Sequence, residues 1–142
     1  MLIGIIIAII LTILLLDSQT NILSNIFSKS SVEADVGSIK QTATSLDTLN
    51  TNYSVRNGGV YATDLQTLKD SGALTRDITL PSYMSESDIT LSDDGSISFA
   101  NVSGPVCVEL ADVEDVSSIP ATLTDNESGC FGDDTSGFEY KY

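Results

Sequence analysis

Residues 2–16 read LIGIIIAIILTILLL, fifteen positions without a charge, broken only by Gly4 and Thr12. As a helix this run is about 22 Å long, short of the roughly 30 Å hydrocarbon core of a bilayer. Left in water, it would expose an apolar patch far larger than soluble monomers tolerate. A chain built this way needs lipid, or copies of itself, to cover its first segment. That requirement constrains the rest more than any other feature.

Three readings compete for the run. A secretory signal peptide needs basic residues ahead of the apolar stretch and a small-x-small cleavage site behind it. Here Leu2 follows Met1 directly, and Asp17-Ser18-Gln19-Thr20-Asn21 is a poor cleavage site. A plain membrane anchor is compatible with the composition, but the run is short and lacks an aromatic or basic belt at its end. The third reading is a helix that sits in a membrane temporarily and later packs against its own copies. It accounts for the mildness of the polar break, because Ile22, Leu23, Ile26 and Phe27 restore an apolar face.

Beyond the break, Val32, Val36, Ile39, Ala43, Leu46 and Leu49 recur at helical spacing, with Glu33, Asp35, Lys40, Gln41 and Asp47 off that stripe. No proline occurs before Pro81. The pattern predicts a helix from near residue 2 to near Asn52, the alternative being two helices hinged at residues 17–21. The expected organisation is a hydrophobic assembly or membrane helix over residues 1–28 and a globular head over 29–142.

The head begins with a loop at Ser54–Gly59, whose two glycines can take positive φ. Thr63-Asp64-Leu65-Gln66 has the capping-box pattern and predicts a short helix ended by Gly72. Ile89 and Leu91 alternate with polar residues, Asp94-Gly95 supplies a turn, and Ile97 and Phe99 alternate again, predicting a hairpin. Val106, Val108 and Leu110 predict a third strand with Cys107 on its opposite face, and Phe138, Tyr140 and Tyr142 predict a C-terminal strand. The fold class is α+β: a long N-terminal helix, hydrophobic and then amphipathic, packed on a small, mainly antiparallel sheet.

Composition narrows the function. Six basic residues stand against twenty acidic ones, giving a net charge of -14. The cations are scattered, so no nucleic-acid partner is expected, since phosphate binding requires clustered Lys and Arg. Without His the chain cannot build a Ser-His or Cys-His nucleophilic pair or the commonest zinc sites. No pair of carboxylates stands out for acid-base work, so neither an enzyme nor a cofactor is expected. Cys107 and Cys130 are read as one disulfide formed in an oxidising compartment, the alternative being two free core thiols.

Two further sets of residues have bland explanations. Asp93, Asp94, Asp125, Glu127, Asp133 and Asp134 could offer oxygen ligands to Ca²⁺, but a turn and solvated acidic loops account for them without a metal. Asn52-Tyr53-Ser54, Asn101-Val102-Ser103 and Asn126-Glu127-Ser128 match the glycosylation sequon. Such triplets arise easily in a chain rich in Asn and Ser, and they are read as chance. The acidic loop between the cysteines is equally compatible with a receptor-facing or subunit-facing edge and with a solvated surface.

Together these pieces resemble the type IV pilin family, type IVb members above all. The features in common are an apolar helix turning amphipathic, a loop with a minor helix (VYATDLQTLKDSGAL after NYSVRNGG), a hairpin sheet and a C-terminal cysteine pair. The resemblance implies a subunit held in the inner membrane and then drawn by a pilus assembly machinery into an extracellular homopolymer. Leu2, Ile3, Ile5, Ile6, Ile7, Ile9, Ile10, Leu11, Ile13, Leu14, Leu15 and Leu16 would form the assembly core. It further implies that Met1 is the processed and N-methylated first residue of the mature chain. Two positions depart from the family: Ile5 stands where Glu is usual, and Ile22 where a helix-breaking Pro is usual. With no carboxylate before Asp17, either that side chain on a neighbouring subunit partners the terminal amine or the amine reaches solvent. A minor pilin, a secretion pseudopilin and a tethered module that never polymerises are the competing functions.

Overall fold

A computed structural model describes the backbone of residues 2–142 and the side chains of residues 3–10 and 31–142. The chain divides into two compact units, residues 1–32 and residues 33–142. Each is described by itself. Helix α1 (Leu2–Arg56) contributes to both. The fold is α+β: a four-stranded antiparallel sheet with a helix on its N-terminal side in the sequence.

In the second unit, α1 buries one face. Ile39, Ala43 and Leu46 are essentially inaccessible, while Lys40, Gln41, Thr44 and Ser45 face solvent. The predicted stripe is there, and it continues through polar side chains, since Thr42, Asn50 and Ser54 are buried too. Each has a use. The Thr42 hydroxyl donates to the Thr79 carbonyl at 2.6 Å. Asn50 accepts from the Ala62 N–H at 2.9 Å and donates back to the Ala62 carbonyl at 3.3 Å. That two-way bond satisfies a buried stretch of returning backbone and holds it against the helix.

The helix runs to Arg56, so the loop expected from Ser54 begins three residues later. Buried Ser54 stays helical because its carbonyl accepts from both Asn57 and Gly59, which closes the last turn. Helix α2 (Leu65–Asp70) forms where the pattern placed it, with Leu65 and Leu68 inward. Its cap is Asp64, whose carboxylate accepts from the Thr67 N–H at 2.6 Å. Gln66, the expected box partner, instead binds Asp70.

Strands β1 (Ile89–Leu91) and β2 (Ile97–Val102) form the predicted hairpin, in register Ile89 to Phe99 and Leu91 to Ile97. Gly95 in the turn has φ +88, and a Cβ there would come within 3.0 Å of the Tyr61 ring. The predicted C-terminal strand is β4 (Gly137–Lys141). It lies beside β2 and brings Tyr140 opposite Phe99, with ring centroids 6.2 Å apart. Sheet order is β1-β2-β4-β3.

The expected strand at Val106–Leu110 is corrected: Gly104–Ala111 is helix α3. Pro105 in its first turn fixes φ and has no N–H to leave unpaired, and Asp112 ends it in the left-handed region. Alternation of Val106, Val108 and Leu110 misleads because the buried pair is Val106 and Cys107, adjacent residues that a strand would place on opposite faces. The fourth strand, β3 (Gly129–Asp133), was not expected at all. Two of its five residues are glycines, which weakens the strand signal. At Gly132 a Cβ would lie 2.5 Å from the Gly137 carbonyl oxygen, so this close approach excludes any side chain.

Candidate functional site

Residues 3–10 are helical, and every isoleucine among them is largely open to solvent. Ile3 is 75% exposed, and Ile5, Ile6, Ile7, Ile9 and Ile10 lie between 52% and 59%. At 100° per residue these six positions fan over roughly 200° of the helix, and the remaining side is taken by Gly4 and Ala8. An amphipathic helix would carry polar side chains on one side, but residues 3–10 carry none on any side. Of the remaining expected core positions, the side chains of Leu2, Leu11, Ile13, Leu14, Leu15 and Leu16 lie outside the described residues. So do Met1, the expected processing site, and the side chain of Asp17, the candidate partner of the terminal amine. Among the described residues, no helix is long and apolar enough to cross a membrane.

The charge is as unevenly placed as the apolar surface. Nineteen of the twenty acids and five of the six bases lie beyond residue 32, so that unit carries the entire net charge of -14. Among the described residues the one ion pair is Lys69 with Glu86, at 2.5 Å on the surface.

Cys107 and Cys130 are joined in a disulfide with Cα atoms 5.5 Å apart. Both are buried, and the bond ties α3 to β3, closing the acidic loop between them.

Three of the acidic residues weighed as metal ligands, Asp94, Glu127 and Asp133, hold hydrogen bonds within their own loops. Asp133 accepts from the hydroxyl and N–H of both Thr135 and Ser136, at 2.7 to 3.0 Å. Those bonds, led by the Thr135 hydroxyl, hold its carboxyl far below the usual range. Asp94 is lowered by the Ser96 hydroxyl and N–H, and Glu127 by Thr124. Each stabilises its own turn. Among the described residues no three or more acids or cysteines converge as a metal site.

A groove of about 400 Å³ runs between α1 at Thr42, Ser45 and Leu49 and the segment Ala73–Thr79. The Thr42 to Thr79 bond closes one part of it, and its charged groups are Arg76 and Asp77. A second depression of about 210 Å³ lies between the Asp94-Gly95 turn, Asn126–Ser128 and the C-terminal Lys141 and Tyr142.

No family model, no curated protein and no solved structure matches the chain.

The isoleucine segment was legible in the sequence. The buried polar set of Thr42, Asn50 and Ser54 was not, although Asn50 and Ser54 continue the 3–4 spacing of the apolar stripe.

Proposed function

We propose that this chain is the structural subunit of a type IV pilus-like extracellular filament, a major pilin, and not an enzyme. Its N-terminal helix is read as one long element, hydrophobic first and amphipathic afterwards, packed by its second half on the sheet. Copies assemble through the apolar first half into a helical homopolymer. Before assembly the subunit is held by that segment in the inner membrane, where the pilus machinery collects it.

The observation that carries the reading is the exposure of Ile3, Ile5, Ile6, Ile7, Ile9 and Ile10 on a helical stretch with no polar side chain. Burying what remains open on each side chain is worth roughly 1 kcal/mol, since about half of a fully exposed isoleucine's gain is still available. Six such residues per subunit, multiplied over contacts with several neighbours, suffice to hold a polymer. The acidic heads support the same arrangement, because like-charged heads stay outside a core from which the charge is absent.

Shearing cells that make the protein, imaging the supernatant by electron microscopy and sequencing the fibre band by mass spectrometry tests this. Thin fibres containing the chain are the expected result. A chain confined to the membrane fraction, with fibres absent, would instead identify a tethered module that does not polymerise.

A further inference from the structure

The three Asn-x-Ser triplets are equivalent as patterns and differ sharply as structures. Asn52 lies inside α1, and the Ser54 hydroxyl that completes its triplet is buried. Asn101 and Asn126 share a left-handed backbone, at φ +60 and +68, but Asn101 stands in β2 and its Nδ2, the atom that would have to react, donates to Asp88 Oδ1 at 2.7 Å. The central residue of that triplet, Val102, is 2% exposed, and the Ser103 hydroxyl is bonded to the Tyr83 hydroxyl at 3.3 Å.

Asn126, Glu127 and Ser128 are all exposed. They sit in the loop between Ile119 and β3, in a turn closed by the Glu127 N–H on the Thr124 carbonyl and by the Thr124 N–H on the Glu127 carboxylate. Glu127 therefore fixes the turn while the residues on either side stay open. Among the described residues, no hydrogen bond engages Asn126 Nδ2 or the Ser128 hydroxyl. The Cys107–Cys130 bond closes this same loop, which places it in a chain handled in an oxidising compartment, where such transfer chemistry is found.

From these differences we infer that Asn126, alone of the three, is an N-glycosylation site. The donor class is an oligosaccharide linked through pyrophosphate to a lipid. Asn126 Nδ2 forms a bond to the anomeric carbon of the first sugar, and the bond from that carbon to the pyrophosphate oxygen breaks. The lipid pyrophosphate leaves with the electron pair, and the amide gives up one N–H proton to a base of the transferase. The Ser128 hydroxyl is the hydrogen-bonding group by which the transferase reads the triplet. The modification is independent of whether the chain polymerises.

Peptide mass spectrometry of the full chain, isolated from cells that make it, tests the site. The peptide holding Asn126 should carry an oligosaccharide mass, with Asn52 and Asn101 bare. S128A, which leaves Asn126 itself in place, should abolish the mass, and N101Q should keep it. An unmodified Asn126, a sugar on Asn52 or Asn101, or a mass that survives in S128A would each overturn the inference.

Discussion

Ile6 and Ile39 are the same side chain in opposite states. Ile39 is wholly buried in the second unit, whereas Ile6 in the first is 53% exposed. The head resolves its hydrophobic surface within one chain: Ile39, Leu46, Leu68, Ile97, Phe99 and Val106 are all at or below 1% exposure. The first ten residues hold six isoleucines with little inside the unit to cover them. Polar chemistry divides the same way. The head satisfies its buried polar groups in pairs such as Asn50 with Ala62, and it carries the net charge. One unit covers its own apolar side chains, while the described isoleucines of the other stay open, which is the surface the proposed assembly would cover. The contrast predicts that head variants change stability without changing association, and that N-terminal variants do the reverse.

The largest head effect should come from Phe99→Ala. Phe99 is fully buried with its ring tilted against that of Tyr140, and its truncation should cost about 3–5 kcal/mol in denaturant unfolding. An equal loss of association in a variant that still folds would break the separation of the two units. Removing the disulfide as Cys107→Ala with Cys130→Ala should cost about 3 kcal/mol, since it closes a loop of 23 residues. Thermal melts with and without reductant would measure it, and the double variant should be insensitive to reductant.

Asn50→Ala ranks next. It leaves the Ala62 N–H and carbonyl unpaired in the interior, at about 2 kcal/mol. Hydrogen exchange at Ala62 should rise ahead of exchange in the sheet. The smallest effect is a pH dependence. Asp133 is lowered in the folded state, so it contributes stability that is present above its ordinary value of 3.8. That stability is lost as pH falls toward the folded value. Asp133→Asn should therefore lower stability modestly at neutral pH and flatten the acid limb of a stability-against-pH curve below about pH 4, where the two chains converge.

What the sequence made legible follows from which signals are local. The hairpin from Ile89 to Val102 alternates cleanly around Asp94-Gly95, and α2 carries its start and stop within the ten residues from Thr63 to Gly72. Both could be read without the rest of the chain. Strand β3 could not, because Gly129 and Gly132 have no side chains to alternate, and the strand exists through pairing with β4 and through Cys130. Helix α3 mimicked a strand because Val106, Val108 and Leu110 alternate, while Pro105 held the contrary signal. Asn50 was invisible as a core residue because its worth depends on Ala62, twelve residues away. The isoleucine segment was fully legible as a segment, since an unbroken apolar run is read from composition alone. A partner for it had to be inferred.

The central claim is that the exposed isoleucines, and not the head, hold copies together. Light scattering of the full chain after removal of detergent tests it most directly, comparing the natural sequence with Ile6→Asp and Ile10→Asp. Carrying a carboxylate into an apolar bundle is costly, so each substitution should weaken association at least about tenfold. The account predicts large assemblies for the natural chain and monomers for the variants, with the circular dichroism and melting of the head unchanged. Variants that still assemble at the natural concentration would contradict it and move the interface to the head.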